Sequence, residues 1–99
     1  MFETLIIASK QKAYVLSDRS TYLNHQEELD LVVLSEGDKR LFNPYSVIAV
    51  NPAKISGVNF KAAMAFVDFV TSSEGQEIIA GYGKLKFGKP LFTPLAIKK

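Results

Sequence analysis

The sequence contains no cysteine and no tryptophan, one histidine (His25) and four prolines. Without thiols there is no disulfide framework, no thiolate zinc site and no cysteine nucleophile. One histidine and no cysteine also leave too few ligands for a tetrahedral metal site built from protein alone. No segment approaches the ~20 apolar residues that cross a bilayer. The opening Met1-Phe2-Glu3-Thr4-Leu5-Ile6-Ile7-Ala8 has no basic leader and too short an apolar stretch for a signal peptide, so the sequence reads as soluble and without an address. An excess of one charge is missing too. Twelve Lys and Arg stand against ten Asp and Glu, a formal net charge of +2, and the basic residues are scattered. That distribution argues against nucleic acid as a partner.

What is present suffices for a core. Of 99 residues, 47% are hydrophobic and 11% aromatic, which excludes a disordered chain and leaves room for one domain. Phe2, Leu5, Ile6 and Ile7, followed by Lys10 and Lys12, predict a short amphipathic helix over residues 2–11 with its basic end against the macrodipole. Ala13-Tyr14-Val15-Leu16 reads as a strand. Ser17 or Asp18 then caps a helix through Tyr22, Leu23 and Glu27. Leu29-Asp30-Leu31-Val32-Val33-Leu34 is so apolar that it predicts a strand buried on both faces. Gly37 supplies a turn, and Pro44 precedes a third strand, Ser46-Val47-Ile48-Ala49-Val50.

Phe60, Ala63, Met64, Val67 and Val70 recur at helical spacing between Asn59 and Thr71. Ala62, Ala65, Phe66 and Phe69 broaden that stripe enough to predict a helix buried over much of its surface. Ser73-Glu74-Gly75-Gln76 fits a capping box, with Ser73 as cap and Gln76 reaching back, opening a helix that Gly81 and Gly83 close. The tail holds Pro90 and Pro94 and reads as extended over a surface. Helices alternating with strands indicate an α/β protein. Three strands are few for a self-sufficient sheet, so some apolar surface is expected to belong against further chain or another copy.

Few constellations can carry chemistry. Ser17-Asp18-Arg19-Ser20-Thr21 joins hydroxyls, helix-start amides and a guanidinium after a strand, a combination that suits a bound oxyanion. The same residues suit an ordinary capping turn with Arg19 paired to a nearby carboxylate. Ser17, Asp18 and His25 do not make a triad, because no Gly-x-Ser-x-Gly elbow is present and His25 lies among polar neighbours. The acidic residues Glu27, Glu28, Asp30, Glu36 and Asp38 lack calcium-loop spacing. Gly81-Tyr82-Gly83 and Gly88-Lys89 are not phosphate loops. Tyr14, Tyr22, Phe42, Tyr45 and Phe92 are not interleaved with basic residues, so core packing is expected of them. No enzyme constellation emerges, and no cofactor or metal is called for.

Ala13-Tyr14-Val15-Leu16-Ser17-Asp18-Arg19-Ser20-Thr21-Tyr22-Leu23 is similar to a segment of the tungstate-binding proteins that serve ABC importers. So are Leu29-Asp30-Leu31-Val32-Val33-Leu34-Ser35-Glu36-Gly37-Asp38 and Leu41-Phe42-Asn43-Pro44-Tyr45 with Val47-Ile48-Ala49-Val50-Asn51-Pro52. Ala63-Met64-Ala65-Phe66-Val67-Asp68-Phe69 and Thr71-Ser72-Ser73-Glu74-Gly75-Gln76 resemble the closing helices of these and of molybdate-binding proteins, a signature shared across type II periplasmic binding proteins. The likeness covers about residues 3 to 95. It implies an α/β, partial type II periplasmic-binding-protein-like fold, a lobe of a three-layer α/β/α sandwich. Residues 1–99 would form one domain, with about 1–40 ending a second lobe and 41–99 returning into the first.

The resemblance further implies a solute-binding component of an ABC importer for tungstate or molybdate, with an ABC permease as partner and a periplasmic or extracellular location. It carries over Ser17, Asp18, Arg19 and Thr21 as cleft-facing or hinge-adjacent ligand positions. The family's hydroxyl-rich N-terminal motif and its Arg-Gly-Asp-Asp-Ser-Gly-like middle segment have no counterpart here. Weak anion binding by this chain alone, and self-association to cover its open faces, are therefore expected. A ligand-sensing domain of a cytoplasmic transcriptional regulator is the alternative. It would need a basic recognition helix, and these 99 residues hold none.

Overall fold

The computed structural model describes residues 1–96. The chain divides into two compact units, Met1–Phe42 and Asn43–Lys99. Among the described residues the secondary structure is helical, with no strand ladder, and no helix is long and apolar enough to cross a membrane.

In the first unit, α1 (Phe2–Gln11) buries Leu5 and Ala8, three residues apart on one face. Its end is closed by Lys12, which takes a left-handed φ of 54°. That bend lets the Lys12 and Ala13 amides fold back on the Ser9 and Ala8 carbonyls (3.3 and 2.9 Å). A second helix, α2 (Arg19–His25), runs into a 3-10 turn over Gln26–Glu28. The His25 ring stacks on Phe2 with centroids 3.8 Å apart, which fastens α2 to α1. Residues 29–38 then lie outside helices, with Gly37 at a left-handed φ of 82°, until Asp38 caps a second 3-10 turn, Lys39–Leu41, by accepting the Arg40 amide.

The second unit opens with a stretch outside helices and a turn at Asn51, whose side chain accepts the Ala53 amide (2.9 Å). Helix α3 (Phe60–Val70) starts at Asn59, whose Oδ1 accepts the Ala62 amide (3.0 Å). Helix α4 (Ser73–Gly81) packs on α3 at a tight corner where Gly75 is buried. A Cβ there would overlap the Phe69 carbonyl oxygen and stand 2.9 Å from that of Val70, so only glycine fits. Gly83 (φ 89°) turns the chain into a short α5 (Lys84–Phe87), and Leu91 tucks in beside it, buried. Gln76 holds this unit's end together, donating to the Val70 carbonyl (2.8 Å) and accepting the Ala96 amide (3.0 Å).

Several expectations meet a different outcome. The runs predicted as strands, 13–16, 29–34 and 46–50, lie outside helices but form no ladder, so the sandwich lobe is not formed among the described residues. Strand pairing is a non-local property: an extended run becomes a strand only when a neighbour takes its N–H and C=O groups. The run 29–34, expected to be buried on both faces, is largely exposed, as are Phe60, Phe66 and Phe69 of α3. Tyr14, Phe42 and Tyr45, expected in a core, are exposed as well, although Tyr45 still meets Phe92 edge-on at 6.0 Å. The α4 cap is Ser72 rather than Ser73, because it is the Ser72 hydroxyl that reaches the Gly75 amide (3.1 Å). Gln76 accordingly does not close a capping box. The short α5, between Gly83 and the tail, was not predicted.

Candidate functional site

The turn between residue 16 and α2 is organised by one carboxylate. Asp18 stands at the N-cap with extended backbone (φ −73°, ψ 153°), which aims its side chain back at the first turn of the helix. Its Oδ2 accepts three hydrogen bonds: from the Ser20 hydroxyl (2.6 Å), the Thr21 amide (3.0 Å) and the Thr21 hydroxyl (2.9 Å). Partial burial works to raise the Asp18 pKa. The bonds from Ser20 and Thr21 outweigh it and hold the carboxyl below its usual range. The Ser17 hydroxyl donates to the Asp18 carbonyl (2.9 Å).

Ser17, Asp18 and Thr21 are thus brought together, with their hydroxyls directed to Asp18 itself. Arg19 departs from them. Its Nη2 donates to Glu36 Oε2 at 3.3 Å, with both side chains about half exposed (50% and 55%). Glu36 lies seventeen residues along the chain, and no local spacing announces it as a partner. An exposed pair of this kind contributes little to stability and exchanges partners readily. Chemically, the turn offers an ordered cap, an ionised carboxylate and a guanidinium that a stronger anionic partner can recruit. An ionised Asp18 repels a dianion, so within this turn Arg19 is the group suited to face one, and Asp18 the group that orders the backbone.

Comparison with known proteins places that turn in context. The family described as "Bacterial extracellular solute-binding protein" matches residues 3–84. The chain belongs to this family.

Within the family, the "Tungstate-binding protein TupA" of Peptoclostridium acidaminophilum is 44% identical over 98 residues, covering 99% of this chain and 34% of the relative. The protein of the same name from Campylobacter jejuni is 40% identical over 97 residues, covering 94% of this chain and 35% of its own. A relative from Haloferax volcanii is 45% identical over 104 residues, covering all of this chain and 30% of its own length. The chain therefore spans about a third of the length of these relatives. No solved structure matches it significantly.

Proposed function

We propose that this chain is part of the solute-binding component of an ABC importer for tungstate- or molybdate-type oxyanions, the part that ends one lobe and returns into the other. Its partners in that role are the oxyanion and an ABC permease, at a periplasmic or extracellular location, and it binds rather than catalyses. The observation that carries this reading is the 44% identity to a tungstate-binding protein along 99% of the chain. The division into Met1–Phe42 and Asn43–Lys99 supports two parts with separate allegiances, since each unit leaves apolar residues open.

In this reading the turn at Ser17, Asp18, Arg19 and Thr21 borders the anion cleft. Arg19 turns from Glu36 to the anion when the remaining donors are present, while Asp18 holds Ser17 and Thr21 in place. The same physics makes the chain a poor receptor alone. A dianion stripped of water must regain its hydrogen bonds from the protein, and here Ser17, Ser20 and Thr21 direct theirs inward.

The test has two arms. Titration calorimetry of the chain with tungstate is expected to show weak binding or none, and sub-micromolar binding by a monomer overturns that part. Substituting the chain for its matching third of Campylobacter jejuni TupA is expected to give a chimera that binds tungstate. A folded chimera that binds no oxyanion overturns the functional assignment.

A further inference from the structure

We propose that Tyr22 is a positioning residue for Arg19: its hydroxyl anchors the stretch that carries Glu36, and so sets how firmly Glu36 occupies the guanidinium before an anion arrives. The inference rests on the reading of Arg19 as the anion-facing group, and adds the part of the fold that regulates it. Arg19 and Tyr22 lie three residues apart in α2, on one face of the helix. Both reach the same stretch of chain. The Tyr22 hydroxyl donates to the Leu31 carbonyl (2.9 Å), and further along Glu36 accepts from Arg19 (3.3 Å). Ser9 of α1 backs the anchor, its Oγ accepting the Asp30 amide (2.8 Å).

The two contacts of α2 differ in strength for a physical reason. The Tyr22 bond is partly buried, where water competes less. Arg19 and Glu36 are half exposed, and such a pair gains little in water while losing the entropy of bringing its ends together. With Asp30 and Leu31 anchored, the free chain behind Glu36 is residues 32–36. Without the anchors it is residues 29–36, counted from the end of the 3-10 turn at Glu28. Closure entropy grows with the logarithm of loop length, so the anchors favour the pair by about twofold. They also select the carboxylate: Glu27, Glu28 and Asp30 lie nearer in sequence, yet Glu36 meets Arg19. A carboxylate already on the guanidinium is a rival that an oxyanion must displace. Tyr22 therefore acts on anion affinity through Glu36, without touching the anion.

Two measurements test this, and the first needs no anion. In the chain alone, the order parameter of the Arg19 Nε–Hε bond reads how firmly the guanidinium is held. Tyr22→Phe should lower it toward the value in Glu36→Gln, and adding Ser9→Ala should complete the fall. Asn24→Ala removes a different bond of α2, to the Ser20 carbonyl (3.0 Å), and should leave the Arg19 value unchanged. In the chimera with Campylobacter jejuni TupA, Tyr22→Phe with Ser9→Ala should raise tungstate affinity by about twofold, and not at all once Glu36→Gln is present. A role confined to folding would instead lower affinity in both backgrounds. The proposal falls if Arg19 is held as firmly in Tyr22→Phe and in the folded double variant as in the parent chain. It falls equally if affinity responds alike with and without the Glu36 carboxylate. An unsubstituted chimera that binds no tungstate overturns the functional reading instead, and the order parameters still decide whether Tyr22 places Glu36.

Discussion

Asp18 accepts both the amide and the hydroxyl of Thr21 on one carboxylate oxygen, at 3.0 and 2.9 Å. That double contact fixes where α2 begins and makes the turn a cap first, whatever else it touches. Removing the carboxylate in Asp18→Ala deletes the cap and leaves the Ser20 and Thr21 hydroxyls to find water. The variant should lose about 1 kcal/mol of stability, read as a lower urea midpoint by circular dichroism. An unchanged midpoint would mean that packing of α1 on α2, through Phe2 and His25, sets the stability of this unit alone.

The same carboxylate predicts a direction with pH. Its folded-state pKa lies below its unfolded value, so its stabilisation is in full force above the unfolded value and is lost as pH falls through the folded one. Helical signal from α2 should therefore weaken in acid, below the usual carboxylate range. Asp18→Asn keeps a capping oxygen without the charge and should flatten that response. A mutant that titrates like the parent would assign the acid transition to another group.

Local features of this chain were legible because they are decided within a few residues. The helix over residues 2–11, the helix between Asn59 and Thr71 and a cap at Ser17 or Asp18 all follow from periodicity and short-range hydrogen bonding. The choice of Ser72 over Ser73 turned on one residue of register, which neighbouring serines cannot settle by type. The four-residue α5 between Gly83 and Gly88 is too short for any periodic signal. The runs 13–16, 29–34 and 46–50 were legible as non-helical but not as paired or unpaired, because a ladder depends on a neighbour that the local sequence does not specify. In the candidate site, pairing of Arg19 with a carboxylate was foreseeable from its charge. Its identity as Glu36, set by the course of the 29–38 run, was not.

Gly75 carries the sharpest steric prediction. Its missing Cβ is what lets α4 turn against the Phe69 and Val70 carbonyls, and both obstacles are backbone, which cannot rotate away. Gly75→Ala should therefore destabilise the second unit by about 1–3 kcal/mol, despite alanine's better helix propensity. Faster amide exchange should follow through α4 and at Ala96, which Gln76 holds. If alanine were instead neutral, the α3–α4 corner would have to be more open than this structure places it.

In the proposed function, Arg19 is the group that turns to the anion. Alone, it shares a single 3.3 Å contact with Glu36, and both groups remain half in water, so the pair is a weak competitor for the guanidinium. A desolvated dianion is a much stronger one, because a charged hydrogen bond in a closed cleft contributes about 1.5–3 kcal/mol. In the chimera with Campylobacter jejuni TupA, Arg19→Ala should then weaken tungstate binding by about tenfold to a hundredfold. Glu36→Gln, which frees the guanidinium without touching the cap, should leave affinity unchanged or raise it. Opposite signs for the two substitutions distinguish an anion ligand from a structural ion pair, since a merely structural pair would make both variants lose affinity together. Calorimetric titration of the two folded chimeras with tungstate makes that comparison directly.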